Sequence, residues 1–224
     1  AVSARRAYAV DAVSGRVLYE KNPTERSLIA STTKIMTALI VCEQCNVLDR
    51  MRIPKEAVGI EGSSMYLKEG EVLTLQELLY GLMLSSGNDA AVALAEHVAG
   101  TTDRFKEMMN DRVKQMGCVS TEFGNISGLD TATSYTTARE MVKITMEATK
   151  NETFAEIFKT GTYKIPATNL VEKERSLITT NYLVDDHVIT QFMSSRYTGG
   201  IASYTENSGA SIVGTAEHNN MRVI

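Results

Sequence analysis

Apolar and polar positions alternate over residues 6–21, with Ala7 and Ala9 before a turn at Ser14-Gly15 and Val17 and Tyr19 after it, which predicts a β-hairpin. From about Ser27 to Ala148 the period lengthens to that of amphipathic helices. One helix opens at Ser31-Thr32-Thr33-Lys34 and buries Ile35, Met36, Ala38, Leu39 and Ile40. A second starts at a capping box, Thr74 with Glu77, and runs through Leu78, Leu79, Leu82, Met83 and Leu84 to stop at Ser85-Ser86-Gly87-Asn88. A third covers Asp89 to Ala95 and ends at Gly100, a C′ glycine; further helical stretches run from Arg104 to Met116 and from Thr136 to Thr149. Strand-like runs then return at Thr162–Ile165, Ser176–Thr179, Tyr197–Thr205 and Ala210–Gly214, and Met221-Arg222-Val223-Ile224 reads as a strand cut short.

A helical block set between strands from both chain ends predicts an α+β fold: a mostly antiparallel sheet flanked by helices, plus an all-α lobe, with a cleft between them. The whole of 1–224 reads as one domain, its α lobe of roughly 27–160 inserted between sheet segments 1–26 and 161–224. At 224 residues and 43% hydrophobic content there is room for a sizeable core. A net charge of −4 without a basic cluster argues against nucleic acid as a partner. No apolar stretch is long enough for a membrane span, so membrane association would run through segments absent from this chain.

Chemistry concentrates at the first helix. A helix start carries roughly half a positive charge, so a lysine in its first turn costs about 0.3–1 kcal/mol unless something compensates. Lys34 stands three residues after Ser31, on the same helix face. A serine hydroxyl beside a lysine pushed towards its neutral form is a nucleophile with its own base. Ser31 could instead be an ordinary N-cap, although the place where a capping box wants Glu or Gln is taken by a cation. Ser86 and Asn88 sit on a short loop between two buried helices, a rigid mount for polar groups; Asn88 or Asp89 could alternatively cap the second of them.

Ser31-x-x-Lys34 followed by Ser86-Gly87-Asn88 resembles the first two active-site motifs of the penicillin-recognising serine enzymes. Gly62-Ser63-Ser64-Met65-Tyr66-Leu67-Lys68-Glu69-Gly70, the run Leu78 to Gly100, and Asn125-Ile126-Ser127-Gly128-Leu129-Asp130 with Tyr135-Thr136-Thr137-Ala138-Arg139 extend the likeness to the low-molecular-mass D-alanyl-D-alanine carboxypeptidases over nearly the whole chain. The resemblance implies a β-lactamase/transpeptidase-like fold and a peptidoglycan stem peptide ending in D-Ala-D-Ala as substrate, with β-lactams as covalent inhibitors and no metal or organic cofactor. It implies that Ser31 attacks, Lys34 takes the proton, Ser86 protonates the leaving amine, and Asn88 and Gly87 border the substrate. The backbone N–H groups of Ser31 and Tyr204 are the implied oxyanion hole. It also implies an exported, extracytoplasmic protein of the bacterial envelope, for which Ala1-Val2-Ser3 would be a mature start, and a closing strand and helix beyond Ile224.

The family's third motif, Lys-Thr-Gly on a strand before Tyr-Thr, is altered here. Aligned on Gly199-Gly200 and Tyr204-Thr205, Ile201 stands for the lysine, Ala202 for the threonine and Ser203 for the glycine. Losing one charge-assisted hydrogen bond to a substrate carboxylate costs about 1.5–3 kcal/mol, roughly 10- to 150-fold in rate. Weakened catalysis is thus one expectation; a catalytically impaired relative that recognises cell-wall peptide or a partner is the other. Arg196 is a candidate substitute charge. A class A β-lactamase is disfavoured, because no Glu-x-x-Leu-Asn element is present. Cys42, Cys45 and Cys118 read as small core residues without the ligands of a zinc set, and His97, His187 and His218 are scattered.

Overall fold

The computed structural model describes residues 2–129, 131–181, 183 and 194–224. The N-terminal hairpin forms as its alternation predicts: β1 (Ala7–Val10) pairs antiparallel with β2 (Val17–Lys21). Its inner edge meets the C-terminal end of the chain, where Val10 and Ile224 exchange backbone hydrogen bonds of 2.9 and 3.1 Å. There β7 (Tyr197–Thr205), β8 (Gly209–His218) and β9 (Met221–Val223) form an antiparallel sheet in the order β7-β8-β9. The two ends of the sequence are therefore stitched into one layer, with Val10, Val142 and Ile224 packed as a small apolar cluster beneath.

The helical block supplies most of the core. A 3-10 turn (Ala30–Thr33) leads into α1 (Lys34–Gln44), which is buried from Lys34 through Val41. Around it stand α2 (Leu75–Leu84), α3 (Asn88–Ala99), α4 (Thr102–Gln115), α5 (Ala138–Ala148) and α6 (Glu152–Lys159). Their starts follow local chemistry. Thr74 and Glu77 make the reciprocal capping box, and Thr101, Thr137 and Asn151 each accept a hydrogen bond from a first-turn N–H. Gly100 closes α3 in the left-handed conformation at φ 78°.

Two strand pairs depart from the sequence pattern, and α6 is a helix it did not predict. The lobe expected to be all helical also carries a short antiparallel pair, β3 (Arg50–Arg52) with β4 (Val72–Thr74). The strands β5 (Thr162–Ile165) and β6 (Arg175–Ile178) pair with each other and pack on α2, rather than joining the β7-β8-β9 sheet. Both pairs are short enough that packing on the helices, not the ladder itself, must hold them. The arrangement leaves β7 lying against the 3-10 turn that carries Ser31.

Candidate active site

Ser31 sits within the 3-10 turn rather than at the cap of α1. Neither the turn nor α1 has a side-chain cap: the N-cap positions are Ile29 and Thr33, and neither makes a capping hydrogen bond. The serine hydroxyl is thus free of the ordinary structural job. Ala30 before it adopts φ 50°, a left-handed conformation uncommon for a residue with a Cβ. Against this kink lies Gly128, where a Cβ would come within 1.9 Å of the Ala30 carbonyl oxygen and 2.8 Å of the Ser31 nitrogen. Only glycine permits that approach.

Lys34 is among the largest fully enclosed side chains of the protein, at 1% exposure. Its Nζ donates to Asn88 Oδ1 at 2.8 Å and to the Ser127 carbonyl at 2.5 Å, and lies 3.4 Å from Ser31 Oγ. Three acceptors satisfy an ammonium. After loss of one proton, two N–H bonds remain for Asn88 and Ser127, and the lone pair faces the Ser31 hydroxyl. Burial disfavours the charged form and brings the Lys34 pKa down to about 7, with the negative charge of Asp89 pulling it upward. An amine half neutral near pH 7 can accept a proton from a hydroxyl in contact with it.

The second motif comes from the α2–α3 elbow. Ser86 adopts φ 52°, the left-handed place after a helix where glycine is the usual occupant, and the Gly87 N–H reaches back to the Gly81 carbonyl. This turn aims the Ser86 hydroxyl at Ser31, to which it donates at 3.0 Å. The strain sits on a residue engaged at the site. Asn88 does not cap α3; the cap is Gly87, and the Asn88 amide bridges Lys34 on one side and the Glu61 carbonyl on the other, 2.8 Å each.

The structure therefore brings Ser31, Lys34, Ser86 and Asn88 into one hydrogen-bonded cluster, with Gly87 in the same turn. On β7, Ile201 is 2% exposed and belongs to the apolar core, Ala202 and Ser203 are half-buried, and Tyr204 is exposed. The Ser203 hydroxyl shares a 2.8 Å hydrogen bond with Ser211 on β8. Arg196 precedes β7, five residues before Ile201. A groove of about 1080 Å³ runs elsewhere, bounded by Tyr8, Ile29, Met141 and Val142; Ala202 and Ser203 line it, and the Ser31 cluster does not.

Sequence reasoning gave Ser127 and Asn125 no part in the site, and read Asp89 only as a possible helix cap. Asn125 Oδ1 accepts from the N–H groups of Ser127 and Gly128, and Thr37, one turn after Lys34, donates to the Ile126 carbonyl at 2.7 Å. This holds the Ser127 carbonyl over Lys34. An Asn two residues before Ser-Gly is a turn signal that would have placed the loop, though not its partner. Cys42, Cys45 and Cys118 have thiols raised above their ordinary value by burial first, Cys42 to about 12 and Cys118 to about 11, which suits packing rather than reactivity. His97 and His218 are exposed, away from the cluster's hydrogen bonds; His187 and Asp130 lie outside the described residues.

The sequence profile of the D-alanyl-D-alanine carboxypeptidases matches residues 1–224. The chain belongs to that family. Among relatives of this carboxypeptidase family, D-alanyl-D-alanine carboxypeptidase DacF of Bacillus subtilis is 34% identical over 99% of this chain and 56% of its own length. The D-alanyl-D-alanine carboxypeptidase of Streptomyces sp. K15 is 35% identical over 91% of this chain and 72% of its own. DacC of Escherichia coli is 37% identical over 62% of this chain and 38% of its own. The chain thus spans from about two fifths to about seven tenths of these relatives. The crystal structure of the Streptomyces K15 DD-transpeptidase superposes with a TM-score of 0.89 at 30% identity, covering 100% of this chain and 88% of that one. An evolved penicillin-binding protein homolog from Mycobacterium tuberculosis gives 0.88 at 26% identity, covering 98% and 80%. The β-lactamase/transpeptidase-like α+β fold follows from these likenesses.

Proposed function

We propose that this chain carries a serine-type D-alanyl-D-alanine carboxypeptidase activity that removes the terminal D-alanine from peptidoglycan stem peptides, acting outside the cytoplasmic membrane. The observation that supports it most strongly is the Lys34 amine, fully enclosed, brought to a pKa of about 7 and facing the Ser31 hydroxyl. In this reading Ser31 Oγ attacks the carbonyl of the penultimate D-alanine while its proton passes to neutral Lys34. The peptide C–N bond breaks, Ser86 delivers a proton to the departing amine, and water hydrolyses the acyl-enzyme. Asn88 and Gly87 border the substrate backbone, and the N–H groups of Ser31 and Tyr204 stabilise the oxyanion. β-Lactams acylate the same oxygen. The chemistry calls for no metal or organic cofactor.

Positions 201–204 complete the substrate side along β7, but Ile201 and Ala202 offer neither charge nor hydroxyl to a carboxylate. This favours turnover slower than that of a relative with Lys-Thr-Gly. It is also the specific observation behind a second reading, a penicillin-binding relative that recognises cell-wall peptide or a partner without turnover. Release of D-alanine from a peptide ending in D-Ala-D-Ala separates them. The carboxypeptidase reading expects release by the protein and none by Ser31→Ala. Silence of the unaltered protein, with the peptide still bound, supports recognition alone.

A further inference from the structure

We infer that Asp89 is a positioning residue: its buried carboxylate ties the loop over Asn88 to the reaction centre and sets the electrostatic field in which Lys34 works. The inference rests on the reading of Lys34 as the base. Asp89 follows Asn88 in the first turn of α3 and is 1% exposed. Its Oδ1 accepts from the Met65 and Ala90 N–H groups at 3.1 and 2.9 Å, and its Oδ2 from Ser64 Oγ at 2.6 Å and the Leu67 N–H at 3.1 Å. A negative charge is favourable at a helix start, which accounts for the bond to Ala90. It does not account for three bonds to a separate loop.

Those three bonds shape the segment that holds Asn88. Met65 and Leu67 flank Tyr66, which is held at φ 59° with its own N–H on Ser64 Oγ at 2.9 Å. The same segment turns the Ser63 carbonyl onto the Asn88 N–H at 2.7 Å and the Glu61 carbonyl onto the Asn88 side chain at 2.8 Å. At Gly62 a Cβ would come within 2.7 Å of Asn88 Nδ2. Loop, Asn88 and Asp89 thus form one closed unit whose other end is Lys34.

The charge has its own effect. The groups bonded to Lys34, namely Ser31, Asn88 and the Ser127 carbonyl, are neutral, as is Ser86 beside them. Among the described residues Asp89 is the charge that opposes burial at Lys34. Removing it favours the neutral amine, so the acid limb of Ser31 acylation moves to lower pH.

The test is the pH dependence of β-lactam acylation between pH 5 and 9. Asp89→Asn should lower the midpoint by at least about 0.5 pH unit while slowing acylation on the plateau, because an amide cannot accept all four bonds. Ser64→Ala, which loosens the loop and keeps the charge, should slow the plateau and leave the midpoint in place. Asp89→Ser, small and uncharged, serves if Asp89→Asn does not fold. An unchanged or raised midpoint overturns the inference, and so does failure of every uncharged variant to fold, since Asp89 is then purely structural. If the unaltered protein shows no acylation at all, the reading of Ser31 and Lys34 fails and the inference about Asp89 is overturned with it.

Discussion

In the proposed mechanism Ser31, Lys34, Ser86 and Asn88 are available for chemistry because each is denied its ordinary role. Among the described residues Ser31 caps no helix and Lys34 bonds to no carboxylate, while Ser86 occupies a glycine conformation and Asn88 bridges two segments instead of capping one. Part of this was legible in the sequence, since a lysine stands where a capping box wants an acid, but the sequence left open whether Ser31 was itself an ordinary cap. Position 201 is the contrary case: isoleucine there is at home in the core, so sequence comparison alone marks it as a departure. The triple variant Ile201→Lys, Ala202→Thr, Ser203→Gly should raise acylation by at least about tenfold, the lower bound for regaining one charge-assisted hydrogen bond. An unchanged rate, measured as the second-order constant for a penicillin, would show that another group already anchors the carboxylate.

Elements hold these residues through close backbone approach, and this is where the sequence was least readable. The start of α2 followed from its capping box, the N-terminal hairpin from alternation and β7 from a strand-like run, whereas α6, capped by Asn151, was not read as a helix. β3 and β4 were missed because three residues, as in Arg50-Met51-Arg52, give no usable period. β5 and β6 were visible as strands, but nothing in Thr162–Ile165 says which strand it pairs with. Gly128 carries the same lesson: a glycine after Ser127 signals a turn, while its contact with Ala30 spans almost 100 residues of sequence. Gly128→Ala adds a methyl group into the Ala30 carbonyl and strains a φ of 91°. It should destabilise the fold by about 1–3 kcal/mol in urea denaturation and slow acylation in the fraction that stays folded. A stability change within about 0.5 kcal/mol, the range of a neutral surface substitution, would show that the Ala30–Ser31 kink is held by something other than this contact.

At the scale of the molecule, the hairpin from one chain end and the sheet from the other are joined by backbone hydrogen bonds, and the helical block between them carries the 3-10 turn of Ser31 to the face of β7. The α+β class and the order of segments were legible because helical and strand periods change at about residue 27 and again near 160. The enclosure of Lys34 was not, since it depends on three segments meeting at one amine. If this enclosure makes Ser31 attack acyl groups, intact-protein mass after incubation with a β-lactam, followed by peptide mapping, should show it. We expect a gain of one whole β-lactam, carried on Ser31 and lost in Ser31→Ala. No adduct, or an adduct that persists in Ser31→Ala, would contradict it.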